Sequence, residues 1–386
     1  MSWPMVKLAS VADVERSSVQ PDAIADGTRY LGLEHIESGG QIIGGDPIKN
    51  GDVASSKFAF SNEHVLYGKL RPYLAKIALP DFEGVCSTDI LPVRPKAKLD
   101  RRYLAYFLRQ PDMVAKANSL ATGANLPRLS PKALEQIEIP LPPLEEQKRI
   151  AGILDQADAL RRLRVRAIEK LNTLGQAVFQ EMFGDPQSNW PQVAISNVTK
   201  DARTGPFGSQ LLVSEFVDSG IPVLGIDNVV QNKFLWAKER FITLQKYEQL
   251  RRYQVNPGDV LVTIMGTCGR CAVAPHDIGL AINTKHICCM TMQVEKIEPE
   301  FLRATLLWDA CVLAQLGVEA KGAIMPGLNM SKIASLKFRL PPLEMQKIFI
   351  ERIENIQADL IRVESATSKA EALFASLQSA AFQGKL

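Results

Sequence analysis

Two long stretches of the chain carry apolar residues at alternating steps of three and four. The first, 144–183, contains no proline, and glycine occurs in it only at positions 152 and 175. The second, 343–382, repeats the pattern. Such spacing places apolar side chains along one face of a helix, as in a coiled coil. The pattern therefore predicts two helices of about 40 residues, each roughly 60 Å long.

Each predicted helix has an apolar seam. The first seam consists of Ile150, Ile153, Ala157, Leu160, Ala167, Leu171, Leu174 and Val178. The second consists of Phe349, Ile353, Ile356, Leu360, Val363, Ala370, Leu373 and Leu377. Arg164 occupies the one seam position of the first helix that is not apolar. We expect the helices to pack against each other as an antiparallel coiled coil, with the globular parts at opposite ends; the alternative is packing of each helix on its own domain.

The remaining sequence has a different pattern of apolar and polar residues. Short apolar runs, such as 220–224 and 259–264, are bounded by glycine, proline and asparagine, which is typical of strands and turns. The best helical candidates there are 103–108 and 301–316. The fold class predicted is α+β, with two strand-rich domains joined by two long helices. The domain boundaries that follow are 1–143, 144–183, 184–342 and 343–386.

The two halves of the chain are related by an internal repeat. Residues 31–36 match 224–229, and residues 123–129 match 322–328. The offset grows from 187 residues, between Trp3 and Trp190, to 199 residues, between Leu141 and Leu340. Several matches in one order, separated by small insertions, indicate a tandem duplication with a pseudo-two-fold arrangement.

Composition and charge narrow the classes of protein. Of 386 residues, 46% are hydrophobic, which excludes disorder as the main state. The N-terminus lacks the features of a signal peptide, and no apolar run is long enough for a membrane span. The six cysteines are sparse and suit a reducing cytoplasm. A net charge of +3 gives no overall indication of nucleic-acid binding.

Five segments together resemble a known family. The sequence Leu-Pro-Pro-Leu-Glu-Glu-Gln-Lys-Arg-Ile at 141–150 leads into the first heptad helix, and Phe-Gly-Asp-Pro follows at 183–186. The others are 67–74, 204–211 and the tail 381–386. In this order, with the duplication, they resemble the specificity subunit of type I restriction-modification enzymes.

The resemblance implies a recognition subunit that is not itself an enzyme and holds no cofactor. Two target-recognition domains would each read one half of a split, asymmetric sequence in double-stranded DNA. The helices would act as a ruler and as a dock for two methyltransferase subunits, which carry S-adenosylmethionine and methylate adenine. Two restriction subunits would complete the complex. Half-sites on one face of B-DNA lie about 34 Å apart, which such a rod can span.

DNA contacts need cations, loop amides and donors that reach base edges. In the first copy, residues 69–73 form a basic segment in which alternation places Lys69, Arg71 and Tyr73 on one side. We expect this segment to face DNA, with a solvated hairpin as the alternative. Lys57 and Arg128 are weaker candidates, because isolated surface cations are usually only solvated.

The second copy offers two glycine-containing loops. Arg203 and Ser209 belong to the first, whose exposed backbone N–H groups suit a phosphate. Thr267 and Arg270 belong to the second, which the repeat aligns with the basic segment. Lys321 precedes the turn that matches 123–127. These five residues are the predicted DNA contacts of the second domain.

A cluster of four arginines lies within residues 161–166, in the middle of the first long helix. A solvated helix face is the simplest explanation. Docking to an acidic partner and contact with phosphates of the DNA spacer are the alternatives.

Two other motifs suggest a metal site and a nuclease site. The pairs Cys268, Cys271 and Cys288, Cys289 could supply four zinc ligands, but adjacent cysteines chelate poorly, which favours small buried residues. We therefore expect no metal site.

Asp309, Glu319 and Lys321 mimic a nuclease pattern, although such short acidic patterns recur by chance. Phosphate-loop and methyltransferase motifs are missing from the sequence, so we expect no catalytic residues. A duplicated adaptor that binds only proteins, and the recognition chain of a fused restriction-methylation enzyme, remain the alternatives.

Overall fold

The computed structural model describes residues 3–49, 51–317 and 328–386. The chain forms two compact units. Unit 1 comprises Met1–Arg166 and Glu364–Leu386, and unit 2 comprises Ala167–Val363. Each unit thus combines one globular part with a portion of both long helices.

The elements of the first globular part alternate short strands with short helices. Its strands are β1 (Met5–Lys7), β2 (Ala12–Val14), β3 (Ser18–Val19), β4 (Thr28–Leu31), β5 (Pro47–Ile48), β6 (Lys57–Phe60), β7 (Val65–Gly68), β8 (Ile77–Ala78), β9 (Gly84–Cys86), β10 (Ile90–Pro95) and β11 (Glu138–Pro140). Its helices are α1 (Leu8–Val11), α2 (Arg101–Leu108), α3 (Pro111–Ser119) and α4 (Pro131–Glu135), and the long helix α5 (Leu144–Phe183) follows.

These strands form three sheets. One has the order β2-β10-β7-β8, a second β3-β6-β9-β4-β5, and the third pairs β1 with β11. In the second sheet β4 and β9 are parallel. All of β7 and the first four residues of β10 are buried, because the second sheet and α2 pack against them. The core of unit 1 therefore lies on these two strands.

The second globular part repeats much of this order of elements, with nine strands in place of eleven over the described residues. Its strands are β12 (Gln192–Ala194), β13 (Thr199–Thr204), β14 (Ile221–Leu224), β15 (Phe241–Ile242), β16 (Val260–Thr263), β17 (Cys271–Val273), β18 (Ile282–Asn283), β19 (Ile287–Met292) and β20 (Lys337–Arg339). Its helices are α6 (Leu244–Leu250), α7 (Pro299–Trp308), α8 (Ala310–Gln315) and α9 (Met330–Ser335), and the long helix α10 (Leu343–Phe382) follows.

The sheets of unit 2 correspond to those of unit 1. The order β13-β19-β16-β17 matches β2-β10-β7-β8, and the pair β12-β20 matches β1-β11. The parallel pair β14 and β18 matches β4 and β9. The predicted α+β class and the internal repeat are thereby confirmed.

One predicted helix is divided in two. The apolar pattern over 301–316 predicts a single helix, but α7 ends at Trp308 and α8 begins at Ala310. Asp309 lies between them in an extended conformation, and its carboxylate accepts a hydrogen bond from the backbone N–H of Val312 at 3.0 Å. Aspartate is a strong N-cap, so a new helix starts there.

The long helices run antiparallel within unit 1. At one position, a guanidinium nitrogen of Arg149 donates to the carbonyl oxygen of Leu386 at 3.0 Å. Further along α5, Arg164 donates to the carbonyl oxygen of Ala366. Rising numbers on α5 thus meet falling numbers on α10. Arg164, the polar seam residue, is satisfied by this backbone contact.

The same direction holds within unit 2. Gly175 lies close to Ile353, since a Cβ atom added to the glycine would be 3.2 Å from Cδ1 of the isoleucine. Further along α5, the rings of Phe179 and Phe183 lie 5.7 and 5.5 Å from the ring of Phe349, which precedes Ile353 on α10. Phe301, from α7, joins this aromatic cluster, with its ring 5.0 Å from that of Phe183. The antiparallel coiled-coil pairing is confirmed, and the helix portions also pack on their domains.

The seam residues differ in burial. Ile150 and Ile353 are buried, whereas Leu160, Leu174 and Leu373 are 47%, 41% and 57% exposed. The remaining predicted docking and coiled-coil residues are half-buried, namely Ile153, Leu171, Val178, Leu360, Val363 and Leu377. The helices therefore do not bury their seams along the whole length, and the three exposed leucines remain predicted docking residues.

A buried glutamine joins the start of α5 to the first globular part. Gln147 is fully buried, and its side-chain oxygen accepts a hydrogen bond from the N–H of Asp100 at 2.8 Å. Its amide donates to the carbonyl oxygens of Lys98, at 3.0 Å, and Pro142, at 2.8 Å. These three bonds fix the angle at which the helix leaves the domain.

Gln346 does the same at the start of α10. Its oxygen accepts from the N–H of Glu298 at 2.9 Å, and its amide donates to the carbonyl oxygens of Lys296 and Pro341 at 3.2 and 2.9 Å. This shared bonding explains why the Leu-Pro-Pro-Leu segment of each copy is followed, three residues later, by a glutamine.

The end of α10 belongs to the core of unit 1. The ring of Phe382 lies 4.9 Å from that of Tyr103 and 5.5 Å from that of Phe107, both on α2. Ala381 beside it is fully buried. The last turns of the long helix are therefore structural parts of the first globular part.

Candidate nucleic-acid interface

The fold brings two distant basic segments of the first copy together. Leu70 and Arg128 form an isolated β-bridge, and the N–H of Arg71 donates to the carbonyl oxygen of Pro127 at 2.7 Å. Lys69 accepts a backbone hydrogen bond from residue 129 at 2.9 Å. The basic segment and the turn at 123–128 thus form one surface.

The basic segment is shaped by an unusual backbone. Arg71 has φ 51°, a left-handed conformation that non-glycine residues seldom adopt, and it precedes a 3₁₀ turn at Pro72–Leu74. The Arg71 side chain is exposed, and Tyr73 is 51% exposed. Within the described residues neither side chain makes an ion pair. The turn therefore presents a free cation and an exposed aromatic ring.

An acid that sequence reasoning missed lies at the centre of this surface. The carboxylate of Asp89 accepts hydrogen bonds from Nε and Nη2 of Arg128 at 3.0 and 3.4 Å. The Nζ atom of Lys69 lies 3.9 Å from Oδ1 of Asp89. Asp89 follows β9 and gives no local signal, because the residues that it pairs with are 20 and 39 positions away.

Lys57 has a different environment. Its side chain is buried, and its ammonium donates to the carbonyl and hydroxyl oxygens of Ser55, both at 2.8 Å. It also lies 5.8 Å from the centre of the Tyr30 ring. These contacts bind the cation within the domain, so Lys57 contributes little positive charge to an outer surface.

Arg203 is likewise bound inside its domain. Its side chain is 10% exposed and forms an ion pair with Asp259, whose side chain is fully buried. It also donates to the carbonyl oxygen of Gln254 at 2.7 Å and pairs with the exposed Asp201 at 2.9 Å. The loop cation expected to grip a phosphate is therefore part of the core polar network.

The other predicted residues of the second domain lie in loops. Ser209 is exposed in a 3₁₀ turn, and Thr267 is exposed beside Gly266. Arg270 is half-buried, and its side chain makes no ion pair with another described residue. Lys321 lies outside the described residues.

Backbone pairing corrects the alignment of Arg270. In the second copy the N–H of Thr263 donates to the carbonyl oxygen of Arg270 at 2.9 Å. The equivalent bond of the first copy runs from the N–H of Gly68 to the carbonyl oxygen of Lys76, at 2.8 Å. Arg270 therefore corresponds to Lys76 and not to the basic segment. The physical reason is that Gly266 and Gly269 make the second loop tighter.

The arginine cluster of α5 is largely used within unit 1. Arg161 and Arg162 both pair with Asp158, at 2.7 and 2.6 Å. Arg162 also donates to the carbonyl oxygen of Gly39 and the side chain of Gln41. These bonds attach a loop of the first globular part to the helix. Arg161 and Arg162 thus have a structural role that neither a solvated helix face nor a partner dock explains.

The cysteines lie in hydrophobic surroundings. Cys271, Cys288 and Cys289 are fully buried, and burial raises the pKa of all three thiols, that of Cys288 to about 12. All six cysteines of the chain are free. Over the described residues, no group of three or more histidine, cysteine or carboxylate side chains could hold a metal ion.

In the nuclease-like pattern, Asp309 caps α8, and the other two residues, Glu319 and Lys321, lie outside the described residues. Within the described parts of the chain, no helix combines the length and apolar character needed to cross a membrane.

Comparison with known proteins gives one consistent family. The model of the type I restriction modification DNA specificity domain matches residues 2–173 and 202–372. The MjaVIII specificity subunit of Methanocaldococcus jannaschii, a type I restriction enzyme component, is 29% identical over 305 residues, covering 73% of this chain and 69% of that protein. The EcoKI specificity subunit of Escherichia coli is 25% identical over 322 residues, covering 76% and 67%.

Solved structures share the fold. A chain from a study of assembly and conformational transition in the type I restriction-modification system aligns with a TM-score of 0.65 at 20% identity, over 100% of this chain and 98% of the other. The type I specificity subunit from M. genitalium gives 0.59 at 14% identity, over 98% and 96%. Because the family model matches both halves, in the order of the structural repeat, the chain belongs to the family of type I restriction-modification specificity subunits.

Proposed function

We propose that the chain recognises a bipartite, asymmetric DNA target, with residues 1–143 reading one half-site and residues 184–342 reading the other. The observation that carries this proposal is the surface at which Lys69, Arg71, Tyr73 and Arg128 converge. Arginine and tyrosine side chains held at such a surface can reach base edges, and the cations among them can also contact phosphates. The two copies differ in sequence, so the half-sites differ and the target is not a palindrome.

The long helices dock the partners in this proposal. Exposed apolar residues of these helices, including Leu160, Leu174 and Leu373, are available to two methyltransferase subunits. Those subunits bring S-adenosylmethionine and methylate adenine, and two restriction subunits join them in the cytoplasm. As a specificity subunit the chain has no catalytic role of its own.

Mapping of N6-methyladenine tests the function directly. The methyltransferase partner is expressed with and without this chain in a host that lacks adenine methylation. We expect methylation at a new split motif, with two different half-sites, only when the chain is present. An identical methylation pattern in both strains would reject DNA recognition and leave a protein-binding adaptor as the explanation.

Single cations test the interface. Arg71→Ala in the first domain and Arg270→Ala in the second should each weaken binding of the complex to target DNA roughly tenfold or more at physiological salt, because each removes a cation that no described acid pairs with. Fluorescence anisotropy with a labelled duplex measures the affinity, and circular dichroism checks the fold.

Matched controls lie at the other end of the same sheets. Lys98 and Lys296 are exposed cations just after the last residues of β10 and β19, whereas the candidate surfaces lie at the beginning of these strands. Lys98→Ala and Lys296→Ala should leave the affinity nearly unchanged. If Arg71→Ala and Arg270→Ala behave like these controls, the interface lies elsewhere.

A further inference from the structure

The two copies hold one loop in the same backbone position. In the first copy the N–H of Lys69 donates to the carbonyl oxygen of Asp89 at 2.9 Å, and in the second the N–H of Ile264 donates to that of His286 at 2.9 Å. Both loops connect a strand of the parallel pair, β9 or β18, to the central antiparallel strand, β10 or β19. Asp89 and His286 are therefore structural counterparts, and so are Lys69 and Ile264.

In the first copy this position carries a three-residue charge cluster. Asp89 binds Arg128 through two hydrogen bonds and lies close to Lys69, and its own side chain is 25% exposed. The cluster stands beside Arg71, whose backbone is bonded to the same turn as Arg128. Asp89 thus joins the two basic segments.

In the second copy all three charges are replaced. Ile264 occupies the position of Lys69, and His286 that of Asp89. The sequence repeat aligns Arg128 with Gly327, which lies outside the described residues. The strands around the loop nevertheless keep the same pairing, β19 with β16 as β10 with β7. The fold therefore does not need the cluster, and the three residues differ between the copies as a set.

We propose that Asp89 is a positioning residue that determines the specificity of the first domain by holding Arg128 and Lys69 in the orientation that reads the first half-site. This inference rests on the proposed function. Arginine has five N–H donors, and Asp89 engages two of its nitrogens, which fixes the plane of the guanidinium and leaves other donors for a base edge.

A carboxylate at this place also lowers affinity for DNA in general. It repels phosphates and neutralises cations that would otherwise release counterions on binding. Discrimination between DNA sequences improves when the correct base pair accepts the hydrogen bonds of the fixed arginine and an incorrect base pair leaves these donors without an acceptor. Specific and non-specific binding should therefore respond to loss of Asp89 in opposite directions.

The test uses the complex of the chain with its methyltransferase partner, carrying Asp89→Ala, Asp89→Asn or Asp89→Glu. Affinity is measured for the target duplex and for an unrelated duplex over a range of salt concentrations. With Asp89→Ala and Asp89→Asn we expect the target affinity to fall roughly tenfold or more, while the unrelated duplex binds equally well or more tightly. Asp89→Glu should restore part of the discrimination.

A matched control removes an acid that holds a cation elsewhere. Asp13 pairs with Lys96 at 2.9 Å, at the opposite end of β10, so Asp13→Ala should leave the ratio of the two affinities unchanged. A purely structural role of Asp89 would weaken binding to both duplexes alike and would lower the melting temperature. That outcome, or a target affinity that is unchanged or raised, overturns the inference. If Asp89→Ala does not fold, Asp89→Asn carries the test.

Methylation mapping separates this inference from the function beneath it. A wild-type complex that methylates no split motif rejects the proposed function. A wild-type complex that methylates one, together with an Asp89→Asn complex that reads both half-sites with unchanged sequence preference, rejects only the role of Asp89. Relaxed preference confined to one half-site supports the positioning role, because the second domain keeps its own loop at His286.

Discussion

Replacement of Arg203 by alanine is expected to lower the free energy of unfolding of the second globular part by about 3–5 kcal/mol. The reason is the fully buried carboxylate of Asp259, which would lose its cation in a site closed to water. Asp259 also accepts hydrogen bonds from the hydroxyl of Thr291 at 2.6 Å, the N–H of Asn256 at 2.7 Å and the thiol of Cys289 at 3.1 Å. These neutral donors cannot balance its charge.

Urea denaturation followed by tryptophan fluorescence measures this effect. Trp190, Trp236 and Trp308, three of the four tryptophans, lie in unit 2, so the signal reports mainly on that unit. Asp201→Ala is the matched control, since it removes only the exposed partner of Arg203 and should cost at most about 1 kcal/mol. A stable Arg203→Ala protein with weakened DNA binding would show that Arg203 contacts DNA after all.

Replacement of Gln147 by alanine should destabilise unit 1 by about 3 kcal/mol or more. Three backbone groups, on Asp100, Lys98 and Pro142, would lose the partner that the buried glutamine provides, and each group left unsatisfied away from water costs about 1–3 kcal/mol. Gln346→Ala should have a similar effect on unit 2, because its three bonds are equivalent.

Thermal unfolding by circular dichroism measures both variants. Gln156→Ala serves as the control, since Gln156 is an exposed glutamine on the same helix. A melting temperature of Gln147→Ala equal to that of the control would mean that water or a shifted backbone replaces the lost bonds, and that the glutamine does not fix the helix.

The features that the sequence predicts well are those that depend on repeating patterns along the chain. The long helices follow from apolar spacing, and the duplication follows from ordered matches, so both could be derived without coordinates. The division at Asp309 was also encoded locally, but an apolar run continues through it and conceals the cap.

The candidate site was predictable only in part. The convergence of 69–73 with 123–128 was not visible, because a bridge between Leu70 and Arg128 joins residues 58 positions apart. The same limitation made Arg203 look like a loop cation, although its acid lies 56 positions along the chain. Sequence reveals charged residues but not their partners, and the partner decides whether a cation is available to DNA.

The antiparallel arrangement of the long helices has a consequence for synthesis of the chain. Unit 1 contains both Met1–Arg166 and Glu364–Leu386, and unit 2 is encoded between them. A nascent chain can therefore complete unit 2 while the first globular part still lacks Ala381 and Phe382, which close its core against Tyr103 and Phe107. The portion translated first is the portion finished last, and until then its uncovered aromatic face needs protection from aggregation.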